Sequence, residues 1–274
     1  MSRLMLLVIL LSSLSLANSL ELTGPLVQGG MVIGQTEPDN QVFIGGQPLA
    51  STKRGQFVFG LDRDAPKQVV LKVVDAQGVE TVKRLAIEQR QYDIQYIEGI
   101  AKKIMKPSEA SRKRAGQEAQ LVAKARAQSL PRLDFTETFQ WPLKGPITGV
   151  YGSQRVYNGE PRRPHYGVDV AAPVGTPVSV PAPGIVTLVH QDMFYSGGTI
   201  IIDHGYGISS TMIHLSKVHA KVGDEVKPGD VVAEVGAGGR ATGPHLDWRM
   251  NWFKARIDPM LLVKPESLET AGKE

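Results

Sequence analysis

Short runs of β-branched residues, each bounded by glycine or proline, are the feature of this 274-residue chain that most restricts its fold. From Trp141 onward such runs occupy 178–180, 185–189 and 199–202, with glycine and proline dense between them. Glycine and proline destabilise helix interiors, whereas valine, isoleucine and threonine pack well on a pleated sheet. The second half of the chain is therefore predicted to be all-β, with short strands and tight turns.

The first part of the chain shows a related pattern. Apolar runs at 42–44, 57–59 and 69–74 alternate with turn residues such as Gly45-Gly46. Short strands at this spacing predict a small β-sandwich. No histidine lies in this part of the sequence, so we interpret it as a binding or positioning module.

A segment of different composition separates the two β-rich parts. Residues 101–126 are rich in alanine, lysine, arginine and glutamine, and Pro107-Ser108 is a typical helix start. Eight basic and two acidic residues give this segment more net charge than the +4 of the whole chain. We predict a helical connector, and we interpret its charge as a solvated helix face lying outside the active domain rather than as a polyanion site. The expected narrow apolar stripe consists of Ala115, Ala119, Val122 and Ala123.

The amino terminus has the pattern of a cleaved signal peptide. A positively charged start precedes an apolar run at 4–11, which is shorter than the roughly 20 residues needed to span a bilayer. Small residues at Ala17-Asn18-Ser19 favour cleavage after Ser19, which predicts a periplasmic or secreted protein without stable membrane insertion. The predicted organisation is a signal peptide at 1–19, a β-rich domain at 20–95, a basic helical connector at 96–135, a second β domain at 136–263 and a flexible tail at 264–274.

The complete absence of cysteine decides which metal sites this chain can build. Disulfide scaffolds, thiolate-bound zinc and thiol nucleophiles are excluded, so a metal must be held by histidine and carboxylates. On a strand, residues two or four apart face the same side, which would bring His165 to Asp169 and His245 to Asp247. Taken singly, each pair is more typical of hydrogen-bonded polar residues at a strand end; together they indicate a metal site.

Several separated blocks carry a more specific signal. In order and spacing they resemble the lysostaphin or LytM type of zinc endopeptidase, which cuts peptidoglycan cross-links, over about residues 141–263. The blocks are Pro164-His165-Tyr166-Gly167-Val168-Asp169, Ile202-Asp203-His204-Gly205, His214-Leu215-Ser216, Gly223-Asp224 with Gly229-Asp230, and Thr242-Gly243-Pro244-His245-Leu246. The resemblance implies a carboxy-terminal antiparallel β peptidase domain whose groove carries one zinc ion.

The resemblance also implies roles for particular residues. His165 and Asp169 match the zinc ligands of the first block, and His214 and His245 match the catalytic imidazoles. The family's last block reads His-x-His, with the second histidine as third ligand, whereas this chain has Asp247 there. A carboxylate can ligate zinc, but a second one lowers the net charge of the site and relaxes the preference for zinc over manganese or iron.

Two functions follow from this sequence. In the first, the chain is a metal-dependent endopeptidase that hydrolyses peptide cross-links of peptidoglycan through a metal-activated water. In the second, it is a degenerate member that binds peptidoglycan stems or activates a cell-wall amidase or the division machinery. Retention of His165, His214 and His245 favours the enzyme. No feature indicates nucleic acid as a partner.

A weaker interpretation concerns the glycine-rich hairpin at 223–230, which has the spacing of a lipoyl-type carrier domain. Such a carrier needs an exposed lysine at a hairpin tip, and no flanking pattern marks one. The stretch Gly236-Ala237-Gly238-Gly239 is predicted to be a flexible turn, because no Lys-Ser/Thr pair follows it as in a phosphate loop.

Overall fold

The computed structural model describes residues 20–98 and 108–264. The predicted signal peptide at 1–19 and the tail from 265 lie outside the described residues, as do connector residues 99–107. Within the described ranges, no helix combines the length and apolar character that crossing a membrane requires.

The amino-terminal part is built from eight short strands, and the predicted sandwich is confirmed. The strands are β1 (Glu21–Thr23), β2 (Met31–Gln35), β3 (Gln41–Ile44), β4 (Gln47–Leu49), β5 (Gln56–Gly60), β6 (Gln68–Val74), β7 (Glu80–Ala86) and β8 (Ile94–Ile97). Strands β1, β2 and β5 form one sheet, and β4, β3, β6 and β7 form a second. Phe57 and Phe59 from the first sheet share a buried cluster with Val42 and Leu71 from the second.

The carboxy-terminal part contains twelve strands among the described residues. They are β9 (Ile147–Gly149), β10 (Gln154–Tyr157), β11 (Glu160–Pro161), β12 (Val168–Ala171), β13 (Pro177–Ser179), β14 (Gly184–Met193), β15 (Gly197–Asp203), β16 (Ile208–Val218), β17 (Glu225–Val226), β18 (Val231–Val235), β19 (His245–Trp252) and β20 (Ala255–Ile257). The main sheet runs β17-β14-β15-β16-β19-β12-β9, with every pair antiparallel. This confirms the predicted antiparallel β domain.

The main sheet has two faces of different character. Ile200, Ile202, Met212 and Trp248 point to one side and are fully buried in the largest apolar cluster. Because side chains alternate along a strand, Asp247 points to the opposite side of β19. That second face carries the polar residues considered below.

Helix α1 (Glu109–Arg126) covers part of this polar face. Ser108 accepts a hydrogen bond from Ser111 N, so the helix starts where the sequence predicts. Val122 and Ala125 pack against a cluster that includes Ile201 of β15. The predicted apolar stripe is only partly correct, since Ala115 and Val122 turn inward whereas Ala119 and Ala123 are exposed.

The amino-terminal part contacts the main sheet directly. Arg90 Nη1 lies 2.7 Å from Asp258 Oδ2, and the Asp258 side chain is buried. Arg63 donates from Nε and Nη2 to the carbonyl oxygen of Gly152. Strand β8 pairs in parallel with β10, which lies just before the His165 segment. The amino-terminal part thus holds the segment that leads into His165.

His204, in the Asp203-His204-Gly205 turn, has a structural role. The ring is fully buried, with Nδ1 2.5 Å from the carbonyl oxygen of Pro183 and Nε2 2.6 Å from Ser210 Oγ. Because a carbonyl only accepts, Nδ1 carries the proton of a neutral imidazole. Burial lowers the pKa of His204 to about 4.

We expect His204 to make stability depend on pH. The unfolded chain binds a proton at His204 below about pH 6.5 and the folded protein only near pH 4, so acidification through this window favours unfolding by up to about 3 kcal/mol. In urea titrations from pH 4 to 7, the stability difference between wild type and His204→Gln should shrink as the pH falls. The exposed His219→Gln is the control, and an identical pH dependence in both variants would contradict this account.

Candidate metal centre

Three adjacent strands bring the candidate ligands together on the polar face. Asp169 of β12 lies directly opposite Asp247 of β19, and Ile213 of β16 lies opposite Asp247 on the other side. His245 and Asp247 belong to one strand and share its face, as the two-residue spacing predicts. Leu246 between them is buried in the apolar core.

His165 reaches the same point from a different kind of segment than expected. The sequence predicts a strand through His165, but β12 begins only at Val168. His165 lies in the preceding loop, where its backbone N–H donates to Ser153 O and its carbonyl accepts from Gly152 N, each at 2.8 Å. The predicted meeting with Asp169 nevertheless occurs, because this loop folds back toward the β12–β19 pair.

The donor atoms of His165, Asp169 and Asp247 lie within 4.8 Å of one another. His165 Nε2 is 3.0 Å from Asp169 Oδ1 and 3.4 Å from Asp247 Oδ2. Ligands about 2.0 to 2.2 Å from a tetrahedral zinc ion are separated by about 3.3 to 3.6 Å, so the spacing suits one ion.

Hydrogen bonding supports the same conclusion. His165 Nδ1 is 3.2 Å from the carbonyl oxygen of Val150, so Nδ1 carries a proton. Nε2 faces the carboxylates and is the atom that would bind a metal ion once it has released its own proton. Among the described residues, His165 Nε2 and Asp169 Oδ1 are buried and make no hydrogen bond of good geometry, although they lie 3.0 Å apart. A cation bound between these two atoms would satisfy both.

Arg249 is the residue that sequence reasoning missed. Its Nε lies 2.9 and 3.0 Å from the two oxygens of Asp247, and Nη2 lies 2.5 Å from Oδ2. Arg249 follows Asp247 by two residues on the same strand, so the same-face rule that paired His245 with Asp247 could have found it. The cluster therefore holds two carboxylates and one permanent positive charge.

Charges within the cluster shift the pKa values of its members. Burial raises the pKa of Asp247, but Arg249 and His165 outweigh burial and hold that pKa well below its usual range. Burial also lowers the pKa of His165, yet hydrogen bonds and charge from Asp169 and Asp247 raise it to about 10. Both shifts have the same cause, because the two neighbouring carboxylates are stabilised by positive charge close to them.

His214 and His245 form a pair of imidazoles beside this cluster. Their ring centroids are 4.8 Å apart, and His245 Nε2 is 3.7 Å from Asp169 Oδ1. Each Nδ1 lies 2.8 Å from a carbonyl oxygen, that of Gly238 for His214 and that of Gly243 for His245. Both rings therefore carry the proton on Nδ1 and keep an Nε2 lone pair free to accept a proton.

The backbone at His214 is strained in a way that orients its ring. His214 has a positive φ of 65°, which is unfavourable for a residue with a side chain. The β16–β19 ladder ends one residue earlier, at Ile213. Strain of this kind clusters at functional sites, where the surrounding structure enforces it. Burial lowers the pKa of His214, so its ring is neutral near pH 7.

Two glycines allow the chain to approach the carboxylates closely. A Cβ at Gly149 would lie 2.3 Å from Asp169 Oδ2, and one at Gly167 would lie 2.4 Å from Asp247 Oδ1. A side chain at either position would displace the carboxylate next to it. Both glycines are therefore required by the packing of the site.

Comparison with known proteins places this site in a family. Residues 163–259 match the model of Peptidase family M23, and this range contains all five candidate residues. The crystal structure of a candidate M23 peptidase from Pseudomonas aeruginosa is 30% identical, with a TM-score of 0.68, covering 86% of this chain and 94% of that one.

Two curated relatives match less than half of this chain. Peptidoglycan DD-endopeptidase ShyA of Vibrio cholerae is 36% identical over 125 residues, which cover 40% of this chain and 29% of ShyA. DD-carboxypeptidase/endopeptidase Mpg of Neisseria meningitidis is 36% identical over 103 residues, covering 38% of this chain and 24% of Mpg. The matched region is thus less than a third of the length of either relative.

The ion pair between Asp247 and Arg249 can be tested without any metal. Arg249→Met leaves a buried carboxylate without its strongest partner, so in EDTA the free energy of unfolding should fall by about 3 kcal/mol. The double variant Asp247→Asn/Arg249→Met removes the unpaired charge and should recover most of this loss. Chemical denaturation measures both; a loss below about 1 kcal/mol in the single variant would contradict the pairing.

Proposed function

Because the chain belongs to peptidase family M23, we propose that it is a metal-dependent endopeptidase that hydrolyses peptide cross-links of peptidoglycan. The observation that carries the proposal is the convergence of two groups of residues on one face of the main sheet. A three-residue donor set and a pair of imidazoles with free Nε2 atoms lie side by side. The relatives named as peptidoglycan DD-endopeptidases support the substrate class.

His165, Asp169 and Asp247 would hold the metal, proposed to be one zinc ion. When bound, a zinc ion supplies Lewis acidity that polarises the scissile carbonyl and activates a water molecule. The donor set of one nitrogen and two carboxylates also admits manganese or iron. Val150 and Arg249 support this set by orienting His165 and Asp247.

Arg249 offsets the replacement of the family's third histidine ligand by Asp247. Two carboxylates and one guanidinium leave the site with a single net negative charge. The same charge belongs to a site made of one carboxylate and two neutral imidazoles. Arg249 thereby restores the electrostatic balance that a second carboxylate would otherwise disturb.

His214 and His245 have different proposed roles in proton transfer. His214 is neutral near pH 7 because burial lowers its pKa, so its Nε2 is suited to take a proton from the attacking water. His245 shares a wall of the site with His214, and its Nε2 faces Asp169. We assign His245, with Nε2 protonated, to stabilising the oxyanion and returning that proton to the leaving amine.

One observation favours the second candidate function, binding of peptidoglycan without hydrolysis. Arg249 contacts both oxygens of Asp247, including Oδ2, which faces His165. A guanidinium in this position competes with a metal ion for the same oxygen. Metal content therefore separates the two functions. Activation of a cell-wall amidase or of the division machinery stays a prediction.

The proposal includes the localisation of the protein. We propose export to the periplasm or exterior through the segment 1–19, which would bring the protein to peptidoglycan. The Gram-negative origin of the matched relatives supports this placement. We further propose the five-part organisation deduced from the sequence, with the peptidase domain at 136–263.

Purified protein incubated with isolated sacculi should release muropeptides, and metal analysis should find about one equivalent of divalent metal. His245→Ala should reduce release by at least about a hundredfold while retaining the metal, because it removes a catalytic imidazole and no ligand. His219→Ala, an exposed histidine paired with Glu234, serves as the control and should leave release unchanged. Bound peptidoglycan with neither metal nor release would overturn the enzyme and support the binding function.

A further inference from the structure

Three arginines meet on the polar face next to the proposed metal centre. Arg249 lies directly opposite Thr211 on the neighbouring strand β16. Arg126, at the end of helix α1, donates from Nη2 to Thr211 Oγ1 at 3.0 Å. Arg256 of β20 lies opposite Asn251, which is two residues beyond Arg249 on the same face of β19.

Arg126 is an exception to the expectation that the connector's charge lies outside the active domain. Arg126 belongs to the basic segment of the sequence, yet its side chain rests on the main sheet beside the candidate site. The remaining basic residues of α1, such as Lys124, are mostly exposed.

The positive charges of the cluster are poorly compensated. Arg249 is paired with Asp247, but within residues 20–98 and 108–264 no carboxylate oxygen lies within 4.0 Å of Arg126 or Arg256. Arg126 Nε is buried and has no hydrogen-bond partner in the described part of the chain. Arg256 contacts Asn251 Oδ1 at 3.4 Å and lies 5.1 Å from the centre of the Tyr166 ring.

Electrostatics shows that these arginines are held together against repulsion. Burial lowers the pKa of Arg126, and the charges of Arg256 and Arg249 lower it further, against a smaller opposite effect of Asp247. Burial and the charge of Arg249 likewise lower the pKa of Arg256, against smaller opposite effects of Tyr166 and Asp62. Because buried cations with little compensation are costly, an anionic ligand would stabilise this cluster.

The cluster is accessible to a ligand. The Arg249 side chain is 26% exposed, and Arg126, Arg256 and Tyr166 are all half-buried. Part of each of these side chains is therefore exposed to solvent. A planar guanidinium recognises a carboxylate through paired hydrogen bonds, which makes a carboxylate the fitting ligand.

We propose that Arg126, Arg249 and Arg256 form a carboxylate-binding subsite that reads an acidic group of the substrate close to the scissile bond. The proposal rests on the proposed function. The Arg249 guanidinium contacts the carboxylate of the proposed metal ligand Asp247, so the subsite directly adjoins the proposed metal centre. The subsite selects links in which a residue next to the scissile bond carries a free carboxylate, as in D-alanyl-diaminopimelate, over uncharged glycine bridges.

A pair of synthetic stem peptides tests the subsite in the absence of catalysis. The two peptides contain the D-alanyl-diaminopimelate link and differ only in having a free carboxylate or a carboxamide next to the scissile bond. Calorimetry on the full chain in EDTA should show at least about tenfold tighter binding of the carboxylate peptide by wild type. Arg126→Met should abolish this preference, and Arg126→Lys should retain part of it.

The matched control is Lys124→Met, which removes an exposed charge two residues away and should keep the full preference. Thermal denaturation supplies a second readout. Because Arg126 is buried without a counter-ion, Arg126→Met should leave the melting temperature equal or higher, whereas a purely structural arginine would lower it. Equal binding of both peptides by wild type, or equal loss in Lys124→Met, would overturn the subsite.

The outcomes also separate this proposal from the proposed function. Preference for the carboxylate without release of muropeptides from sacculi would overturn the enzyme and support the subsite. Release of muropeptides without any preference between the two peptides would overturn the subsite and support the enzyme.

Discussion

The pairing of Asp169 with Asp247 across β12 and β19 is the constraint on which the rest of the site depends. Two carboxylates side by side on a buried face repel each other unless positive charge lies between or around them. Arg249 supplies one such charge, and the lone pair of His165 completes a donor set for another. Asp247 as the proposed third ligand is therefore compensated by the arginine that follows it by two residues.

The same constraint explains why distant parts of the chain converge here. The loop of His165 is held by backbone bonds to Ser153 and Gly152, and Gly152 in turn accepts from Arg63 of the amino-terminal part. Helix α1 brings Arg126 to β16. The amino-terminal sandwich and the connector thus shape the surroundings of a site whose proposed ligands all lie in the carboxy-terminal part.

Local patterns predicted much of this architecture, because they depend only on neighbouring residues. The β-branched runs became strands, the Ser108 start became a helix cap, and the spacing of His245 and Asp247 put both on one face. The prediction of a strand through His165 was wrong, because this residue lies in a loop whose backbone is hydrogen-bonded to Ser153. The contacts of Arg126 with Thr211 depend on how a helix docks on a sheet, which no local pattern encodes.

The central claim is that two carboxylates and one imidazole bind a catalytic metal ion while a guanidinium offsets the charge of one carboxylate. Anomalous diffraction from crystals grown with zinc tests it most directly. The account predicts a single peak about 2.0 to 2.2 Å from His165 Nε2 and from one oxygen each of Asp169 and Asp247, with Arg249 still paired to Asp247. A map without a peak, in which Arg249 and His165 alone neutralise both carboxylates, would contradict it.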